Sequence, residues 1–353
     1  MSGEIDMRLH LATNAARFAW YYGVNQLVDR SARRLGQRPR YRPSRPVPSE
    51  RELLAELAQL AFKDAQHVRD GTYPAMEGDT GAVIRNVGRV RAMFADLPSA
   101  MSRRASHDAG SVRAEAGADE FPDYYTQDFH FQSGGYLSDQ SARLYDVQVE
   151  TLFYGSAQLM RRAALAPVAR ALAGRDQRKL AVLDVACGTG RLLRELRLAW
   201  PALGLTGLDL SQAYLNEARR HLKPLRPARL VAGNAEVLPF GDASQNIVTT
   251  VFLHHELPPD VRRRVVAEIA RVLKPGGLYV FVDSLQMGDR PEWDGLLEAF
   301  PVRFHEPYFR HYAIDDLNGM FTAAGLVPET TTLAFLSKVV ACRKVLQIAT
   351  DDG

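Results

Sequence analysis

The sequence predicts an α/β protein with a doubly wound, mostly parallel sheet preceded by a helical region. Three observations carry this reading. Apolar runs that suit buried strands end at Val185, Leu210, Leu253 and Asp283, and stretches with helical spacing separate them. The first run continues into a glycine turn, Val182-Leu183-Asp184-Val185-Ala186-Cys187-Gly188-Thr189-Gly190, and then into a helix with Leu192, Leu193, Leu196 and Trp200 on one face. Ahead of the sheet, residues 7–34 place Leu9, Leu11, Phe18, Tyr21, Tyr22 and Val24 on a broad apolar face at helical spacing.

From the N-terminus, the first helix is followed by a proline-interrupted arginine cluster, Arg30, Arg33, Arg34, Arg38, Arg40, Arg42 and Arg45, read as a solvated link. Ser49 and Glu52 have capping-box spacing ahead of Leu53, Leu54, Leu57, Leu60, Ala61 and Phe62, so a second helix starts there. A third helix is expected over 83–101, and 102–118 reads as a polar linker. From Phe121 onward aromatic residues crowd the chain, including Tyr124, Tyr125, Phe129, Phe131, Tyr136 and Tyr145. Beyond the sheet's fifth strand, a long excursion leads to a helix near Asp315-Asp316, and two late strands at 327–333 and 337–345 form a terminal hairpin.

The glycine turn is where ligand chemistry concentrates. Gly188 and Gly190 let the backbone approach a ligand and leave the N–H groups of a helix start free. Asp209 ends the second apolar run, where a carboxylate can accept both hydroxyls of a ribose. A nicotinamide dinucleotide fingerprint requires a third glycine, but Leu193 occupies that place. Asp184, ahead of the glycines, would repel a pyrophosphate and suits a ligand with a cationic amino group.

In these motifs the chain resembles the class I S-adenosylmethionine-dependent methyltransferases. The resemblance continues through Gly233-Asn234-Ala235-Glu236-Val237-Leu238-Pro239-Phe240, similar to the family's adenine-binding segment, and Arg271-Val272-Leu273-Lys274-Pro275-Gly276-Gly277, similar to its turn into the fifth strand. It implies a seven-stranded Rossmann-like sheet with one antiparallel strand and S-adenosylmethionine as cofactor. The implied cofactor residues are Asp184, Ala186, Gly188, Gly190, Asp209, Leu210, Asn234, Ala235 and Leu253. Ala186 departs from the family's usual glycine, and Asn234 from its usual aspartate; an asparagine amide can both accept from and donate to adenine. The resemblance covers 121–353, divided into a helical, aromatic lid (121–178) and a cofactor-binding core (179–353), with 1–120 as a separate helical region.

Catalytic candidates lie at strand ends: His254 and His255 after the fourth strand and Asp283 at the end of the fifth. A histidine titrating near neutrality suits a general base. His305-Glu306 in the late excursion offers further acid–base groups. The acceptor pocket is expected between the aromatic segment and that excursion, lined by Tyr125, His130, Tyr136, His305 and Tyr308. His255-Glu256-Leu257-Pro258 and the late Asp315-Asp316-Leu317 with Phe321 resemble the quinone-biosynthesis-like subgroup. That resemblance implies transfer to oxygen or carbon of a small, partly apolar, aromatic, quinol or natural-product acceptor.

Composition sets the remaining expectations. A net charge of +3 over 353 residues gives no basis for nucleic-acid binding, and an Asn/Asp-Pro-Pro-aromatic motif is absent. With Cys187 and Cys342 as the two cysteines, a disulfide framework and a cysteine zinc site are excluded, no metal is expected, and the location expected is cytoplasmic. Three alternatives stay open: a cofactor-binding regulator or scaffold without catalysis, a lipid methyltransferase touching the membrane through residues 7–34, and a homodimer.

Overall fold

The computed structural model describes residues 2–34, 41–76, 80–106, 112, 120–127 and 134–346. The expected pocket residue His130, with Phe129 and Phe131 beside it, lies outside the described residues, as do Arg38 and Arg40.

The helical region comprises α1 (Ser2–Arg34), α2 (Glu50–Arg69) and α3 (Thr80–Ser106). Helix α2 starts at the expected box: Ser49 Oγ accepts from the Glu52 N–H, and the Glu52 carboxylate accepts from the Ser49 N–H at 2.7 Å. Next come α4 (Asp139–Leu152), α5 (Ala157–Arg162) and α6 (Leu165–Leu172). The core then alternates β1 (Ala181–Val185), α7 (Arg191–Ala199), β2 (Gly204–Asp209), α8 (Gln212–Leu222), β3 (Arg229–Ala232), β4 (Gln245–Val251), α9 (Pro259–Val272) and β5 (Leu273–Ser284). It closes with α10 (Asp294–Arg303), α11 (Phe309–Tyr312), α12 (Leu317–Ala323), β6 (Leu326–Ala334) and β7 (Ser337–Lys344).

The seven strands form one sheet in the order β3-β2-β1-β4-β5-β7-β6. β1 through β5 pair in parallel, and β7 runs antiparallel to both neighbours, the single reversed strand expected. Strand order reverses between β1 and β4, which places a ligand crevice at the carboxyl ends of these strands.

Packing explains why Leu193 is tolerated where a dinucleotide fold has glycine. A Cβ on Gly207 in β2 would lie 2.5 Å from Leu193 Cδ1 and 2.8 Å from Cys187 Sγ. The space that α7 needs is provided by the strand, so the helix keeps a leucine buried against the sheet.

The helical region is joined to the core by buried ion pairs. Asp64 on α2 accepts from Arg162 Nε at 3.0 Å, lies 2.6 Å from His10 Nε2 on α1, and accepts from the Tyr73 hydroxyl. Arg162 also reaches Glu195 on α7, the helix that leaves the glycine turn. Truncating one partner of such a buried set strands the others, at about 3–5 kcal/mol. Asp64→Ala is therefore expected to lower the melting temperature clearly, as read by calorimetry. Among the described residues no helix is long and apolar enough to cross a membrane.

Candidate active site

Two cavities open at the carboxyl edge of the sheet. The first, of about 720 Å³, lies over β1, β2 and β4 and is bordered by Ala186, Gly188, Asp209, Leu210, Asn234, Ala235 and Leu253. Seven of the nine expected cofactor residues thus surround one space. The other two lie behind it: Asp184 is buried under the turn and accepts from the Thr249 hydroxyl at 2.6 Å, and Gly190 caps α7 in the left-handed conformation.

The geometry of the turn explains its residues. Ala186, Gly188 and Gly190 all have positive φ, at 57°, 53° and 74°. A Cβ on Gly190 would sit 3.0 Å from Ala218 Cβ, so α8 and the backbone together require glycine there. Ala186 carries strain that the family's usual glycine would relieve, since the left-handed region costs an L-residue ~1–2 kcal/mol. Glycine's greater unfolded freedom takes back ~0.5–1 kcal/mol. Ala186→Gly is expected to leave stability unchanged or raise it by up to about 1.5 kcal/mol, measured by denaturant unfolding.

Asp209 organises this cavity. Its Oδ2 accepts from the Gly188 N–H and its Oδ1 from the Ser211 N–H, both at 2.8 Å. A carboxylate retains further lone pairs for ribose hydroxyls. Burial pushes Asp209 up to about 6 against these N–H groups, and pushes Asp184 up to about 7 against the Thr249 hydroxyl. Both are raised above ordinary carboxylate values, so ionising them costs the empty protein stability as pH rises through 6 to 7. A cationic ligand that donates to Asp209 prefers the ionised form. Cofactor affinity is therefore expected to fall about tenfold per pH unit below about 6, while the thermal shift on cofactor addition grows toward pH 8.

Asn234 is engaged locally. Its Oδ1 accepts from the Glu236 N–H at 2.9 Å and its Nδ2 donates to Glu236 Oε1 at 3.2 Å, while the Tyr124 hydroxyl donates to that same oxygen. Leu210, Leu253, Leu257 and Val265 supply the apolar part of the wall, suited to a planar base.

A second cavity of about 680 Å³ adjoins the first and is bordered mainly by apolar side chains: Val149 and Leu152 on α4, Leu296, Leu297 and Phe300 on α10, and Phe309 on α11. Tyr145, Phe252 and Glu256 border both cavities. Phe252 adopts φ 56°, an outlier for a bulky residue, with its N–H bonded to the Val282 carbonyl at 2.9 Å. Strain of this kind persists where surrounding structure over-determines it, as at ligand clamps. Glu256 accepts from the Tyr136 hydroxyl at 2.6 Å, and Tyr136 sits in a group of rings with Tyr125, Tyr145 and Tyr214.

The catalytic candidates divide here. His254 is fully buried, its Nε2 lies 2.8 Å from the Tyr279 hydroxyl, and it borders neither cavity; burial depresses it to about 3. His255 borders the apolar cavity, and its Nδ1 donates to Asp283 Oδ1 at 2.5 Å. Burial alone would lower His255, but Asp283, Glu306 and Glu256 raise it to about 9. Burial likewise raises Glu256 to about 7 and lifts Glu306 well above the ordinary carboxylate range, whereas His255 keeps Asp283 low despite its burial. Asp283 also accepts from the His254 N–H at 2.7 Å and thereby fixes the turn.

Of the expected acceptor residues, Tyr125 and Tyr136 border the cofactor-side cavity. His305 Nε2 lies 2.9 Å from Gln127 Oε1, and Gln127 donates to the Tyr308 hydroxyl at 3.0 Å, so these two clasp the aromatic segment and border neither cavity. Tyr145, Phe252 and the apolar face of α10 are additions that sequence reasoning did not select as site residues.

Residues 182–277, which supply β1 through the turn into β5, match the family described as "Methyltransferase domain". This segment is similar to a methyltransferase domain, in line with the resemblance carried by the glycine turn and Asp209. The residues around the cavity over β1, β2 and β4 fit S-adenosylmethionine, the cofactor that the sequence resemblance implies: a carboxylate for ribose, glycine backbone at the turn and apolar walls for the base. The chain is similar to a phthiotriol/phenolphthiotriol dimycocerosates methyltransferase of Mycobacterium tuberculosis, 37% identical over 35% of this chain and 44% of the relative. It is similar to a fatty-acid O-methyltransferase of Mycolicibacterium smegmatis, 35% identical over 35% of this chain and 43% of the relative. It is also similar to the ubiquinone/menaquinone biosynthesis C-methyltransferase UbiE of Methylobacterium nodulans, 33% identical over 46% of this chain and 63% of the relative. The chain thus spans less than half the length of the first two relatives and under two thirds of the third.

Proposed function

We propose that the protein transfers the methyl group of S-adenosylmethionine to an oxygen or carbon of a largely apolar acceptor, such as a fatty acyl, phenolic or quinol compound, held in the second cavity. The observation that carries this reading is the junction: a largely apolar cavity meets the cofactor cavity at Tyr145, Phe252 and Glu256, so two of its polar groups, the Tyr145 hydroxyl and the Glu256 carboxyl, belong to residues that border both spaces. An acceptor filling the apolar space presents its polar end beside His255 and Glu256. The names of the similar proteins, which include a fatty acid and quinone biosynthesis, support an acceptor of this kind.

The reaction is an in-line displacement. The acceptor oxygen or carbon bonds to the methyl carbon as the sulfur–carbon bond breaks, and the electron pair stays on sulfur. The protein contributes positioning and exclusion of water, for which effective molarity supplies ~7–11 kcal/mol. The proton lost by the acceptor passes to the polar cluster, where Glu256 is the acidic residue that borders both cavities. His255, oriented by Asp283, completes the cluster; His254 supports it from the core through its backbone.

A panel of fatty acids, phenols and quinols incubated with methyl-labelled cofactor tests the reading. Leu297→Phe intrudes into the acceptor cavity alone, and a volume change of that size in an apolar pocket is worth ~10-fold or more in kcat/KM. The expected result is transfer to apolar members of the panel, weakened by Leu297→Phe for the bulkiest ones, with unchanged cofactor affinity. Tight cofactor binding without transfer to any of them would instead support a regulatory or scaffold role.

A further inference from the structure

We infer that His255, Glu256 and Glu306 form a binding site for one divalent transition-metal cation at the junction of the two cavities. The role assigned to the cation deepens the methyl-transfer reading and rests on it. Residue spacing does not reveal such a site, because Glu306 lies far along the chain from the His-Glu pair and arrives through the excursion between α10 and α11.

Three observations support the cation. One ligand atom from each of the three side chains falls within 4.8 Å of the other two. Small side-chain adjustments would bring them to the ~2.0–2.2 Å bonds that such a cation makes with nitrogen and oxygen. The orientation of His255 is the second. Its Nδ1 is fixed by Asp283, leaving Nε2 directed into the cluster with the Glu256 oxygen 3.8 Å away, beyond hydrogen-bonding distance. Histidines that bind metals are oriented in this way, with the far ring nitrogen donating to a carboxylate. Charge is the third. Glu306 is 2% exposed and Asp283 fully buried, so three carboxyl groups face one imidazole beside an apolar cavity. A carboxyl group buried this far ionises only where it is paired or bound to a metal.

One imidazole and two carboxylates suit manganese, iron or zinc better than calcium or magnesium, which prefer all-oxygen sets. The site faces the acceptor cavity through His255 and Glu256, so an acceptor hydroxyl can complete the coordination. Bound to a cation, that hydroxyl releases its proton more readily, as metal-bound water does. The proton moves to a cluster carboxylate, the oxygen's electron pair forms the bond to the methyl carbon, and S-adenosylhomocysteine leaves as the thioether.

The test uses the untagged full chain, stripped with chelator, freed of it by gel filtration and equilibrated with Mn²⁺, Zn²⁺ or Mg²⁺ alone. Bound metal is counted by mass spectrometry and affinity is measured by calorimetry. The expected result is one Mn²⁺ or Zn²⁺ per chain in preference to Mg²⁺, weakened tenfold or more in Glu306→Gln and in His255→Phe. Circular dichroism checks that both variants are folded, and Glu306→Gln keeps the side chain's shape while replacing a carboxylate ligand with an amide. No stoichiometric cation in the wild-type chain, or equal affinity in both folded variants, overturns the site. Methyl transfer measured on the same samples separates the two readings. Cation binding without transfer keeps the site and removes the transfer reading, whereas undiminished transfer by metal-free protein keeps the reading and overturns the cation's role in it.

Discussion

Replacing His255 with alanine is expected to lower turnover by ~10²-fold or more while leaving cofactor affinity nearly intact. The separation follows from position: His255 borders the acceptor cavity and not the cofactor cavity, with its Nδ1 held by Asp283. His254→Ala is expected to behave differently. That side chain is fully buried and rests against Tyr279 and Phe281, so its loss lowers the melting temperature and affects turnover only through stability. Steady-state kinetics with calorimetric cofactor titration on both variants checks the pair. Equal loss of turnover in both, at equal stability, would show that the two histidines do not divide the work as their surroundings suggest.

Asp209→Ala is expected to weaken S-adenosylmethionine and S-adenosylhomocysteine binding by ~1.5–3 kcal/mol, the usual cost of losing hydrogen bonds to a charged group. Two losses combine here. The ribose loses its acceptor, and the Gly188 and Ser211 N–H groups lose the carboxylate that ties the glycine turn to the start of α8. Asp209→Asn retains an acceptor without charge and should fall between the two, with a weaker dependence on pH near 6. Undiminished binding in Asp209→Ala would remove the ribose assignment.

The parts of the fold and site that were legible in the sequence are those set by local chemistry. The glycine turn, Asp209 at the strand end, the capping box at Ser49 and the reversed last strand each follow from a few neighbouring residues with one physical reason. The long-range parts were hidden. Two adjacent histidines in a tight turn face opposite environments, one against Tyr279 in the core and one toward a cavity, and no periodicity distinguishes them. Phe252 borders both cavities because its backbone takes a left-handed conformation that its residue type disfavours. The excursion that contains α10 was expected at the pocket, but Leu296, Leu297 and Phe300 within it were not singled out, since apolar side chains at helical spacing give no sign that the space beside them is open. Asn234 and Tyr308 were readable as polar groups near a site, but their partners, Glu236 and Gln127, are fixed by tertiary placement.

The central claim is that cofactor and acceptor occupy two separate cavities that meet at Tyr145, Phe252 and Glu256. A crystal structure with S-adenosylmethionine and a non-transferable apolar acceptor analogue tests it most directly. The account predicts the adenosine over Asp209 and the analogue against α10, with its reacting position ~3–3.5 Å from the methyl carbon at that junction. A methyl group directed away from the junction, or an analogue seated outside the α10 cavity, would contradict it.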